Sequence, residues 1–415
     1  HGFVPLPQAS CRTNRRAALT PEGCRWMLVR MSRFTPDSDD LAHATRLRRR
    51  LHRNPELSGR EAATARLIAA EMRASAADEV LTGLGGHGVA AVFGTGPGRR
   101  VLIRAELDAL PIPEETGAAH ASEVPGVAHL CGHDGHMAIL VALARALGRD
   151  RPNGAAILLF QPAEEDGAGA RAVLADPRTA GLRPDLVVSL HNLPGLPLGH
   201  VSLAAGPMAC ASRGMRVRLK GRAAHASQPE TGVSPRMAVV DLLQSLPALG
   251  SGAPFPDDDF ALVTVARVAM GQKAFGVSPG EAEVWATLRC LHDDRMAALV
   301  RRAETLVRKA AAAAGVTAAI DYQEVFFAAT NHPAAVAALH GALDDLGVAH
   351  GPAGQPWRPS EDFGLLSRLG PAAMLFLGSG QLQPPLHDPQ FDFPDALIAH
   401  GAAIWARLIE RDQST

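Results

Sequence analysis

The chain reads as an α/β protein built as two units. One is a large α/β sandwich with a central mixed sheet, and the other is a smaller antiparallel unit inserted into it. Three observations predict this. Between residues 37 and 208, short and strongly apolar strands alternate with helical segments. From about residue 210 the strands become half-buried alternating ones, in the order βαββαβ that is ferredoxin-like. After residue 325, helical segments and one more fully apolar strand return. The expected division is therefore 37–208 with 325–415 as the main unit and 209–324 as the insertion.

Residues 1–36 stand apart as an N-terminal extension. They carry Arg12, Arg15, Arg16, Arg25, Arg30 and Arg33 against Glu22, without an apolar period or the compact apolar run of a secretory signal. Disorder is expected there. A helix then begins at Asp37, with Asp39 or Asp40 able to cap it and Leu41, Ala44, Leu47 and Leu51 at helical spacing. It ends at Arg53-Asn54-Pro55, and a second helix is expected from about Gly59 to Arg73. Strands are expected at Val89–Phe93, Arg99–Arg104, Gly154–Phe160 and Asp185–Leu190. An apolar helical run, Met137–Leu147, lies among them. In the insertion, strands are expected at Arg213–Leu219, Ala261–Ala269, Glu281–Leu288 and Thr317–Tyr322, with helices at Ser234–Leu246 and Asp294–Ala313. Ala372–Leu377 is the returning strand.

Composition excludes several function classes. The chain has 415 residues, 47% of them hydrophobic, enough for a large core. Its 41 basic and 42 acidic residues give a formal net charge of -1, so neither a nucleic acid nor an anionic membrane is an expected partner. No apolar run approaches the ~20 residues of a membrane span. Five cysteines at irregular spacing argue against a disulfide framework and fit a cytoplasmic location.

The densest chemistry lies at His129-Leu-Cys-Gly-His-Asp-Gly-His136. Cys131 and His133 stand at C-x-H spacing in a tight loop that opens a helix. If that loop is extended, both side chains point one way and reach one ion. The free N–H groups and dipole of the helix start favour a thiolate or carboxylate. Glu164-Glu165 follow a buried strand, where adjacent carboxylates resist burial unless a cation compensates. One can ligate while the other serves as general base to a bound water. His191 ends another strand, and His387 lies in a Pro-rich tail. Together, Cys131, His133, Glu165, His191 and His387 are about enough ligands for two divalent ions. Their mixed S, N and O donors favour zinc or a neighbouring transition metal such as Mn, Co or Ni. Glu106 and Asp108 then serve as groups that orient a ligand imidazole. In the insertion, His225 can donate to a developing oxyanion and Arg289 can pair with a substrate carboxylate.

These segments resemble the M20-type metallopeptidases. The resemblance rests on Arg49–Ser58, Arg104–Ile112, Cys131–His136, Phe160–Glu165, His191–Pro194, His225–Pro229, Ser360–Phe363 and Leu386-His387, in that order. It is strongest to the amidohydrolase branch, which includes hippurate, N-acyl-amino-acid and auxin-conjugate hydrolases. It implies a two-metal centre held by Cys131, His133, Glu165, His191 and His387, with Glu164 as general acid/base and Asp108 beside it. It also implies that the insertion acts as a lid or dimerises, making a homodimer. His225 would assist the scissile carbonyl, in some members across the dimer interface, and Arg289 would recognise a carboxylate. The chain departs from the family pattern at Glu106-Leu107-Asp108, where Asp-Met-Asp is common, and at Gly276-Val277-Ser278-Pro279, where Asn-Val-Ile-Pro is common. The expected activity is metal-dependent hydrolysis of an N-acyl amino acid or similar small conjugate. A dipeptidase or aminopeptidase of the same fold and a non-catalytic metal-binding scaffold are the alternatives.

Overall fold

The computed structural model describes residues 32–412. The main sheet has eight strands in the order β1-β2-β4-β3-β5-β16-β6-β15 and is mixed. Its members are β1 (Glu79–Leu84), β2 (Gly88–Phe93), β3 (Arg100–Glu106), β4 (Ala155–Gln161), β5 (Leu186–Leu193), β6 (Val201–Ser202), β15 (His350–Gly351) and β16 (Ala372–Gly378). The central strands β4, β3, β5 and β16 run parallel. They read as nearly continuous apolar runs because both faces are covered. On one face Val89, Val101, Ile103 and Leu158 join the core of helices α1 (Ser38–Arg53), α2 (Ala62–Ala74) and α3 (His133–Arg149). On the other face Ala90, Leu102, Leu159 and Met374 pack against α4 (Gly169–Ala175) and Phe363.

A second, four-stranded antiparallel sheet has the order β10-β12-β8-β13. It comprises β8 (Ala211–Lys220), β10 (Ala261–Met270), β12 (Glu281–Cys290) and β13 (Thr317–Phe326). The inner strands β8 and β12 bury alternate residues, and α5 (Arg236–Ser245) and α6 (Asp293–Ala313) cover the buried face. Two small ladders complete the strands: β7 (Gly206–Ala209) with β14 (Ala329–Asn331), and β9 (Ala224–His225) with β11 (Val277–Ser278). Helices α7 (Pro333–Leu346) and α8 (Ala396–Asp412) then return to the main core.

Several expectations need correction. Residues 1–31 of the expected disordered extension lie outside the described residues. The rest of it packs: Phe34 is fully buried and the Ser32 hydroxyl donates to the Ala406 carbonyl of α8. The cap of α1 is Asp37, whose side chain accepts from the N–H groups of Asp39 and Asp40. Asp40 instead returns the bond to the Asp37 N–H, closing a capping box. Strand β1 was not expected, because it is a mostly exposed sheet edge without apolar alternation. Strand β5 extends through His191 and Asn192, so these two residues lie within the strand. Helix α3 begins at His133, four residues before its apolar run.

Candidate metal centre

The ends of β3, β4 and β5 and the start of α3 meet at one place, where parallel strands release their C-terminal residues. Cys131 and His133 do converge here, although the loop is not extended. Gly132 sits in the left-handed region at φ 91°, and a Cβ there would lie 2.2 Å from the Asn192 side chain. Only glycine makes that turn this close to β5. Gly135, one helical turn on, faces the Phe393 ring where a Cβ would come within 2.4 Å.

Hydrogen bonds sort the three histidines of the cluster. The Nδ1 of His133 is 2.9 Å from the Asp108 carbonyl, and that of His191 is 2.8 Å from the Asn192 carbonyl. Each imidazole therefore donates from Nδ1 and presents Nε2 inward. The Nε2 of His191 lies 3.4 Å from Cys131 Sγ. The Nε2 of His133 lies 3.9 Å from an oxygen of Glu164 and 3.9 Å from one of Glu165. His136 differs: its Nδ1 meets Glu106 at 2.6 Å and its Nε2 meets Asn192 Oδ1 at 2.7 Å, which leaves no free nitrogen. His387 arrives from the tail between β16 and α8. Its N–H donates to the Leu130 carbonyl at 2.9 Å, and its Nε2 stands 3.6 Å from Glu165.

These spacings fit metal ions. Cys131 groups with His133 and His191 on one side and with Glu165 and His387 on the other, ligand atoms within 4.8 Å in each set. Two atoms each ~2.0–2.3 Å from one tetrahedral ion stand roughly 3.3–3.7 Å apart, longer than a hydrogen bond between nitrogen and oxygen. Buried atoms without hydrogen-bond partners point the same way: His133 Nε2, Glu165 Oε1 and Asp108 Oδ1.

The local charge is strongly acidic. Arg104 is fully buried and bonds Glu106, Glu361 and Asp362, with Glu361 and Asp362 each at 2.8 Å. Arg104 thus faces these three carboxylates together with Glu164. Burial, then the nearby Glu361 and Glu165, pushes the Glu164 carboxyl well above the usual carboxylate range. Burial lifts Glu165 to about 7 against the pull of His133. Burial and the carboxylates of Glu165 and Glu164 also raise the Cys131 thiol. Added divalent charge is what such a donor set calls for.

Two expected residues lie elsewhere. His225 is exposed on β9, pairs with the Ser227 hydroxyl at 2.7 Å, and has no hydrogen bond or ion pair to the cluster. Arg289 ends β12 and reaches across to the Arg358 carbonyl at 2.9 Å and the Ser360 hydroxyl at 2.7 Å. It therefore borders Glu361 without entering the donor set. The role of Arg104 as a hub escaped sequence reasoning. A lone Arg at the end of an apolar strand was the available signal, and Ser360-Glu361-Asp362-Phe363 was noticed only as a motif.

Comparison with known proteins decides the family. Residues 102–411 match the model of peptidase family M20/M25/M40. The chain belongs to this family. It is a metal-dependent hydrolase of amide bonds. Among its M20 relatives, an IAA-amino acid hydrolase of Arabidopsis thaliana is 31% identical over 382 residues, covering 88% of this chain and 84% of the relative. A hippurate hydrolase of Campylobacter jejuni is 30% identical over 370 residues, covering 88% of this chain and 94% of the relative. The crystal structure of the YXEP protein of Bacillus subtilis, described as a dinuclear metal-binding M20 peptidase, superposes with a TM-score of 0.75. It shares 27% identity, over 91% of this chain and all of that one.

Proposed function

We propose that this chain hydrolyses the amide bond of N-acyl amino acids or similar small conjugates, using two divalent ions held by Cys131, His133, Glu165, His191 and His387. The observation that carries the reading is the convergence of these five residues around partnerless buried donor atoms, with Glu164 beside them. The names of the hippurate and IAA-amino acid hydrolases support the substrate class. Zn, Mn, Co and Ni suit the mixed donors. Bound ions supply Lewis acidity and lower the pKa of water toward ~7.

The residues of the chain do the rest. Glu164 takes the proton of the attacking water and hands it to the leaving amine nitrogen. Asp108 fixes the orientation of His133 through its carbonyl, with its carboxylate 3.5 Å from the same ring. Arg104 holds Glu361 and Asp362 behind Glu164. Arg289 binds the carboxylate of the amino-acid product.

The smaller sheet acts as a lid and dimerisation unit in this reading. Helix α5 exposes Met237, Val240 and Leu243 at helical spacing, and β10 is a free edge strand exposing Val268 and Met270. Paired with a second copy, the unit would bury this surface and let His225 serve the neighbouring site. Sedimentation should give a dimer, and Met237→Asp with Leu243→Asp a monomer.

The substrate test compares benzoyl-glycine with glycyl-glycine on protein loaded with Zn²⁺, Mn²⁺ or Co²⁺. Faster turnover of benzoyl-glycine supports the amidohydrolase reading. Preference for the dipeptide would make the chain a dipeptidase, and folded protein that retains no metal after dialysis would make it a scaffold.

A further inference from the structure

Glu61 lies just before α2 and is fully buried. Its Oε1 accepts the Gly59 N–H at 2.9 Å and the Ala163 N–H at 2.8 Å. Its other oxygen is buried with no hydrogen-bond partner. A carboxylate satisfied at one oxygen and desolvated at both is a poor way to stabilise a fold. What it does is fix a piece of backbone. Ala163 sits in the left-handed region at φ 50°, a conformation that a residue with a Cβ rarely adopts. It immediately precedes Glu164.

A second grip lies on the other side. Asp108 Oδ2 accepts the Glu165 N–H at 2.9 Å and the Ser58 hydroxyl at 2.7 Å. The N–H groups flanking Glu164 are thus each held by a buried carboxylate. Both carboxylates are anchored by the turn between α1 and α2: Ser58 supports Asp108, and Gly59 supports Glu61. Bonds from Gly169 N–H to the Ala163 carbonyl and from Gly167 N–H to the Glu164 carbonyl, both 2.8 Å, tighten the same segment.

We infer that Glu61 is a positioning residue for Glu164: by holding the Ala163 N–H it keeps Ala163 left-handed and aims the Glu164 side chain into the metal centre. The inference rests on the reading of Glu164 as the proton carrier. Glu61 touches none of the proposed ligands and takes no part in proton transfer itself.

The test uses Glu61→Leu, which removes the acceptor, and Glu61→Gln, which keeps one acceptor oxygen. For Glu61→Leu, kcat on benzoyl-glycine should fall on the order of 10²-fold while KM holds, as expected for a misplaced catalytic group. Metal content per folded chain should stay at the wild-type level. A crystal structure should show Ala163 out of the left-handed region and the Glu164 carboxyl displaced. Glu61→Gln should restore most of the turnover and the Ala163 conformation. The inference is overturned if Glu61→Leu turns over at the wild-type rate. It is equally overturned if lost metal or lost folded protein accounts for the whole defect, or if Glu61→Gln is no better than Glu61→Leu. An active Glu164→Gln would sink the proton-carrier reading instead, leaving the crystallographic result to judge the backbone grip alone.

Discussion

Two largely buried clusters of similar residue types flank the start of α3, and they solve the problem of charge in opposite ways. On one side, Arg48, His52, Glu114, Asp134, Asp392 and Asp395 close on themselves. Arg48 reaches Asp392 at 2.7 Å and Asp395 at 3.0 Å, and His52 reaches Asp134 at 2.9 Å and Glu114 at 3.3 Å. His52, His120 and Asp392 even have the mutual spacing of metal ligands, but the Arg48 guanidinium bonds both His120 and Asp392 and fills the cation position. On the other side, the proposed donors stand 3.4–3.9 Å apart, and among the described residues no guanidinium bonds Cys131, His133, Glu165, His191 or His387. Spacing of His, Cys and acidic groups is therefore a weak sign of a metal site until the local cations are counted.

The contrast can be broken most sharply at Arg48. Arg48→Leu leaves buried Asp134 with only His52, and half-buried Asp392 and Asp395 with His120 and Arg49, and should cost about 3 kcal/mol of stability in denaturant titrations. Metal content per folded chain should not change. Next comes Glu164→Gln, which should retain metal and lose turnover on the order of 10²-fold or more. Wild-type rates from that variant would remove Glu164 from the mechanism. Chelation comes third. Restoring metal at ~100 times its Kd to the stripped protein should stabilise it by about 2.7 kcal/mol, read as a rise in melting temperature. That rise should persist in His120→Ala, whose cluster already holds its cation.

The last effect is one of pH. Burial works against the charged His52 ring, but Asp134, with help from Glu114, lifts its pKa to about 10. A folded-state pKa above the unfolded value of 6.5 gives stability that is complete below 6.5 and is lost as pH rises through about 10. His52→Gln should flatten the wild-type decline in melting temperature across that window. An unchanged slope would show that His52 is already neutral.

The sequence made the α/β alternation legible because β3, β4, β5 and β16 are apolar on both faces. It also exposed Cys131, His133 and Glu164-Glu165 by local density. It hid what depends on long-range closure. The bonds of Arg48 to Asp392 and to the Phe393 carbonyl span more than 340 residues, and those of Arg104 to Glu361 and Asp362 span more than 250. No spacing rule reaches so far. Residues 131–133 were legible as a tight loop that opens a helix, and α3 does begin there. The convergence of the two side chains differs in its cause: the turn is made by left-handed Gly132 and not by extended backbone. Edge strand β1 was missed because partial exposure leaves little apolar pattern to see.

The position of β16 in the main sheet has a consequence for how the protein is made. This strand, drawn from residues 372–378, lies between β5 and β6, and His387 follows it. During synthesis the small antiparallel sheet, complete by residue 326, can form while the large one still has a gap in its middle. The hydroxyl of Ser32 finds its α8 carbonyl 374 residues later. Synthesis must therefore pass β16 and residue 387 before His387 can reach Leu130 and Glu165.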